Sequence, residues 1–143
     1  MSDIEQPVVD LFLALQRSMA VADAPGVALL FAPQFLDANP TETRMRTNDE
    51  AFVAAMEERL AYLLLAGMRD VKALAIDPTP LGAGYALVRV RWSVWFTPAG
   101  RAEFVDEFLF DYVVHRTVDR VEIAVSIAHD TDQEIMCRIG LAG

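Results

Sequence analysis

Apolar and polar residues alternate most regularly between residues 84 and 130. A period of two places successive side chains on opposite faces of a strand. Tyr85–Phe96 puts Ala86, Val88, Val90, Trp92, Val94 and Phe96 on one face, and Leu87, Arg89, Arg91, Ser93 and Trp95 on the other. Residues 102–115 set Phe104, Asp106, Phe108, Phe110, Tyr112 and Val114 against Glu103, Val105, Glu107, Leu109, Asp111 and Val113. A third strand is expected over residues 120–129. Residues 97–101 read as a short hairpin loop, with Pro98 at the first corner of a turn and Gly100 left-handed. Pairing Thr97 with Arg101 sets Arg91 opposite Glu107 and Trp92 opposite Asp106, so that Arg89 and Arg91 lie near Glu107 and Asp111 on the outer face. A loop at residues 116–119 then sets Val114 against Val121, Tyr112 against Ile123, Phe110 against Val125, Phe108 against Ile127 and Asp106 against His129.

The first half of the chain has a helical period. Residues 4–22 repeat Val8, Leu11, Phe12, Leu15 and Met19 at the spacing of one helix face, with Pro7 in the first turn. Asp23 is placed to cap a second, shorter helix containing Pro25, with Val27, Leu30 and Phe31 inward and Pro33 as its stop. Phe35 to Ala38 reads as a short strand and residues 39–44 as a loop. Thr47 and Glu50 form a capping-box pair ahead of a third helix over residues 48–66. That helix would bury Phe52, Val53, Met56, Leu60, Leu63 and Leu64, and Gly67 would close it. Residues 71–77 read as a strand and residues 78–84 as a turn rich in Pro and Gly. Residues 134–141 fit either a last helical turn or a strand extension. Helices followed by a run of antiparallel strands make an α+β plan, a curved sheet wrapped around N-terminal helices, in one domain over residues 1–143. The pocket expected between the layers is lined by Phe12, Met19, Phe31, Met56, Leu60, Trp92, Phe108, Phe110 and Tyr112.

Composition narrows the partners. The chain has 143 residues, of which 54% are hydrophobic, enough for a real core. A net charge of −9 argues against nucleic acid and against anionic membranes. No apolar run reaches the roughly 18 residues of a membrane span. The acidic start, Met1 to Gln6, lacks the basic opening of a signal peptide, so a cytoplasmic location is expected. Cys137 stands alone, which excludes an internal disulfide and a thiolate metal cage. The acids Asp130, Asp132 and Glu134 lack a nearby second histidine to complete a metal site, and solvated side chains are the expectation there. His115 is expected on the solvated face. No cofactor and no metal are expected.

Candidate chemistry reduces to Asp106 and His129. A carboxylate that accepts from one imidazole nitrogen fixes the tautomer and leaves the other nitrogen to move protons. The plainer alternative is a satisfied, inert polar pair at the end of a sheet. Tyr112 and Trp92 would contact a ligand or simply fill the core. On the outer face, Leu87, Trp95, Val105, Leu109 and Val113 mingle with charged residues, the composition of a protein interface, and a homodimer through that face is expected.

The order of elements resembles the nuclear-transport-factor-2-like (NTF2-like) superfamily, with Phe31-Ala32-Pro33-Gln34-Phe35 after the second helix and Asn39-Pro40 after the first strand. This group includes SnoaL-like cyclases, steroid isomerases, scytalone dehydratase and limonene epoxide hydrolases. The resemblance covers nearly the whole chain and implies a cone, cystatin-like in fold, with an internal pocket and dimers formed through the outer sheet face. It implies Asn39 as a further pocket residue, standing where steroid isomerases carry a base aspartate. The helix tyrosine of those enzymes is replaced here by Leu11 or Phe12, whereas Asp106 looks like their second oxyanion donor. At the epoxide hydrolase positions, Arg91-Trp92-Ser93 has serine in place of an acid, and the final acid is replaced near Ser126. Three readings stay open: a binder of a small hydrophobic molecule, a lyase or isomerase using Asp106 and His129, and a non-catalytic dimerisation module.

Overall fold

A computed structural model of the chain describes residues 5–140. Ile4 and Leu141, the outer ends of two expected elements, lie outside the described residues. Helix α1 (Glu5–Ala20) precedes a one-turn helix α2 (Ala24–Ala28), which Asp23 caps by accepting from the Gly26 amide. Strand β1 (Phe31–Ala38) and β2 (Thr43–Thr47) follow. Helix α3 (Glu50–Leu65) leads into β3 (Met68–Gly82), β4 (Tyr85–Phe96), β5 (Phe104–Arg116) and β6 (Val121–Ala128). A last helix, α4 (Asp132–Arg138), resolves the choice at the chain's end in favour of a helix. The strands form one open, mixed sheet in the order β2-β1-β6-β5-β4-β3, with β1 parallel to β6 and all other pairs antiparallel. The expected α+β class therefore holds.

Strand β4 supplies the spine. Ala86, Val88, Val90, Trp92, Val94 and Phe96 are all buried, and the residues between them are not. They pack against Val8, Leu11, Phe12 and Leu15 of α1, joined by Val27, Phe31, Phe35 and Phe52. A face of this kind, at about 25 cal/mol per Å² of apolar surface removed from water, is the main force closing the layers.

Several local expectations need correction. Phe31 and Pro33 belong to β1 and not to α2. Pro33, which has no N–H to donate, falls in the irregular stretch of the β1–β6 pairing between Phe31 and Leu36, and its carbonyl accepts from the Asn48 amide. Strand β2 falls partly in the expected loop, and its mostly exposed residues carry no alternation to mark it. Asp49, not Thr47, caps α3 by accepting from the Phe52 amide, and Leu64 is 49% exposed. Strand β3 runs through Pro78 and Pro80 because it is an edge, where a missing donor is cheap. Its turn to β4 is just Ala83 and Gly84, both at positive φ.

The hairpin registers also shift. Phe96 pairs with Phe104, so the β4–β5 loop is longer than expected and every pair moves by two: Trp92 opposes Phe108 and Val94 opposes Asp106. The cause lies outside the hairpin. The Thr97 amide donates to the Gly67 carbonyl at 2.8 Å, which holds Thr97 against the α3–β3 turn. An even shift leaves every side chain on its expected face. Strand β6 differs. Arg116 pairs with Val121, and then Ala124 is an extra residue opposite the Val113–Val114 step. This bulge flips the face of everything after it. Tyr112 therefore faces Ser126, and Phe110 faces Ala128.

Gly67 tests this arrangement. It sits at φ +95°, and an added Cβ would lie 2.8 Å from the Pro98 backbone. Gly100, at φ +73°, has open space around it. Gly67→Ala should lose about 2–3 kcal/mol in urea unfolding, against about 1 kcal/mol for Gly100→Ala.

Candidate functional site

Between the helices and the sheet lies a cavity of about 160 Å³. Its wall is mostly apolar: Met19 and Leu15 from α1, Met56 and Leu60 from α3, and Trp92, Phe108 and Phe110 from the sheet. Phe31, Tyr112 and Asp106 also line it. Of the expected pocket residues, Phe12 and Asn39 stand outside. Phe12 is fully buried behind the wall, its ring 4.8 Å from that of Tyr112. Asn39 folds its side-chain oxygen onto the Thr41 and Glu42 amides and shapes the β1–β2 turn instead.

The expected contact between Asp106 and His129 does not form. Asp106 is 8% exposed and faces the cavity, but its two oxygens accept from Nε and Nη2 of Arg138, at 2.8 and 3.1 Å. His129 is carried by the Ala124 bulge to the outer face. There its Nε2 lies 2.8 Å from Oδ2 of Asp111, and Arg89 donates to both oxygens of the same carboxylate. The dyad expectation assumed an unbroken ladder, and one extra residue reverses it.

Arg138 comes from α4, whose start carries a full capping box between Thr131 and Glu134. This short helix and its C-cap also present Ile135 and Ile139 to the cavity. Arg138 reaches Asp130 as well, and Asp132 pairs with Arg59 at 2.7 Å. The acidic run at residues 130–134 is therefore engaged in helix capping and ion pairs. The Arg138 guanidinium is held charged, its pKa raised first by the hydrogen bond to Asp106.

The remaining polar lining consists of Asp37, Arg59, Tyr112 and Ser126. Asp37 accepts from Arg46 at 2.7 Å. The Trp92 indole donates to the Tyr112 hydroxyl at 3.0 Å, and burial pushes the phenol pKa up despite that bond. Tyr112 is thus a firmly protonated hydroxyl. A second, more polar hollow of about 260 Å³ adjoins the first, sharing Asp37, Phe52, Met56 and Arg59 and adding Arg46, Glu58, Tyr62 and Asp132. Asp37, Arg59, Ser126, Ile135, Arg138 and Ile139 were not expected at the site. The spacing of Ile135, Arg138 and Ile139 is a helix face, and an inward Asp106 calls for a cation, so that signal is present in the sequence.

Elsewhere, His115 stacks on Tyr85 with ring centres 4.0 Å apart, and Cys137 is exposed. No helix among the described residues is long and apolar enough to cross a membrane.

No family model matches the chain, and no curated protein matches it. Solved structures do. An NTF2-like protein with a cystatin-like fold from Novosphingobium aromaticivorans superposes with a TM-score of 0.73 at 14% identity, over 99% of this chain and 90% of that one. Aln2 from a Streptomyces species gives 0.72 at 16%, over 96% and 98%. An NTF2-like protein of unknown function from Shewanella oneidensis gives 0.68 at 18%, over 88% and 98%. At such identities the likeness is one of fold: the chain has the NTF2-like, cystatin-like fold.

The Asp111 cluster gives a pH prediction. Arg89, with help from His129, draws the Asp111 pKa from 3.8 down to about 2. A carboxyl lowered on folding stabilises the fold above its ordinary pKa and ceases to do so as pH falls through the folded value. Asp111→Asn should therefore be less stable than the parent at pH 6, with the gap in urea midpoint closing between about pH 4 and 2.

Proposed function

We propose that this protein binds a small, largely apolar molecule of about one ring in the cavity between α1, α3 and the sheet. The observation that carries this reading is an apolar chamber of about 160 Å³ walled by Trp92, Phe108, Phe110 and Leu60. An engineered cavity of about 150 Å³ with similar lining holds benzene. Binding without turnover is favoured over proton transfer because the lining acids Asp37 and Asp106 are each gripped by an arginine. His129, the intended base, faces away. A purely structural module would have no reason to keep such a chamber open, since voids destabilise a core.

Toluene should bind with a dissociation constant on the order of 0.1–1 mM by titration calorimetry. Met56→Trp should abolish that heat while leaving the circular dichroism spectrum unchanged, because Met56 lines the chamber and is only partly buried. If toluene and its single-ring relatives leave the protein silent, the reading fails.

The outer face supports pairing of two copies. Trp95 is 38% and Val105 55% exposed and they pair across the ladder, while Leu87, 39% exposed, lies toward the other end of β4. Trp95 is fixed in place: its indole donates to Glu103 and Arg69 lies over its ring. Arg89 and Arg91 run alongside Asp111 and Glu107, so a two-fold copy can set base against acid across the contact. Sedimentation velocity at tens of micromolar, on the order of ordinary assay concentrations, should show a dimer, and Trp95→Glu should give a monomer.

A further inference from the structure

We infer that the cavity selects molecules carrying a hydrogen-bond-accepting oxygen, such as an aryl ketone, and that Tyr112 is the residue that reads it. This rests on the ligand-binding reading above and adds the chemical class.

An indole N–H can only donate, so the 3.0 Å contact from Trp92 fixes the Tyr112 oxygen as acceptor. The hydroxyl proton is then left to point elsewhere. No acceptor for it exists among the described residues, since Trp92 is the one hydrogen-bond partner Tyr112 has there. Tyr112 nonetheless lines the cavity and is only 4% exposed. A buried O–H with no acceptor is costly, and an oxygen in the chamber relieves that cost.

The surroundings fix how the oxygen arrives. Phe110 stacks on Tyr112 with centres 5.5 Å apart, and Phe12 packs on it at 4.8 Å, so the phenol ring is held on its sides. Ser126 stands directly across the ladder from Tyr112, lines the same cavity and has no side-chain partner among the described residues. Its hydroxyl offers a second donor near the sheet floor. Donation from Trp92 also polarises the Tyr112 O–H and strengthens it as a donor. Both hydroxyls are neutral, which suits a neutral acceptor rather than a carboxylate. The charged groups of the wall, Asp37, Asp106 and Arg59, are already paired, and an added anion would face the two acids with no unpaired cation beside them among the described residues.

Acetophenone and ethylbenzene have nearly the same shape and differ in the carbonyl. Calorimetry with the parent protein and with Tyr112→Phe gives four affinities. The ratio of acetophenone to ethylbenzene affinity should fall about two- to tenfold on losing the hydroxyl. Because Tyr112→Phe strands the Trp92 N–H, a second measurement uses the unaltered protein. The infrared carbonyl band of bound, carbon-13-labelled acetophenone should lie at lower frequency than in hexane. If ethylbenzene binds but the ratio does not change and the band stays at its hexane position, the acceptor inference is overturned and the ligand-binding reading stands. If neither compound nor toluene binds, both fall.

Discussion

One extra residue in β6 decides what the interior of this protein contains. In a ladder, side chains alternate faces, so inserting Ala124 opposite the Val113–Val114 step exchanges inside and outside for the rest of the strand. Ile123, before it, is fully buried, and so is its ladder partner Val114. After it, Ser126 turns into the cavity, while His129 turns out to meet Asp111. The bulge thus sets a small neutral hydroxyl opposite Tyr112, where an unbroken ladder would have placed Val125. On its other side β6 pairs with β1 in parallel, and a second irregularity falls there between Phe31 and Leu36.

The second constraint is electrostatic. Phe104, Asp106, Phe108 and Phe110 share a strand face, and burying a lone carboxylate among such rings is unfavourable unless it is paired and hydrogen-bonded. Arg138 supplies the pair with two parallel bonds, the strongest geometry available to a carboxylate. Desolvation offsets much of the attraction in such a pair, so its value is as a locator more than as a source of stability. A seven-residue helix has little stability of its own. Joined to Asp106 by Arg138 and to Arg59 by Asp132, it is held where Ile135 and Ile139 close the apolar wall.

The legible part of the sequence is the part governed by parity and period. Strand faces in β4 and β5 survive a register error because the error is even: Trp92 and Asp106 are inward whether they pair with each other or with Phe108 and Val94. The odd shift in β6 is not legible, since nothing in Val121 to Ala128 distinguishes Ala124 as the residue without a partner. Loop lengths fail where a distant contact sets them, as the Gly67 carbonyl does for Thr97. Pro78 and Pro80 look like a turn and are strand, because whether a strand is an edge depends on the whole sheet. The aromatics of the cavity wall on β4 and β5, Trp92, Phe108, Phe110 and Tyr112, were legible as inward residues. The charged rim was not, because Asp37 with Arg46 and Arg59 with Asp132 are pairs brought together by the tertiary fold.

Those pairings bear on chemistry as well as on shape. Acid–base catalysis needs a group that can take up or release a proton at modest cost, within reach of the substrate. In this chamber the carboxylates already accept from arginines, and the Tyr112 phenol is pushed further from ionisation by its burial. What remains uncommitted is neutral: the Tyr112 proton and the Ser126 hydroxyl. Neutral donors on an apolar wall orient a ligand and discriminate among ligands, since a molecule without the matching acceptor leaves a buried donor unmet. The proposed reading, recognition in place of proton transfer, rests on this combination of an apolar container with two neutral hydroxyls on its wall.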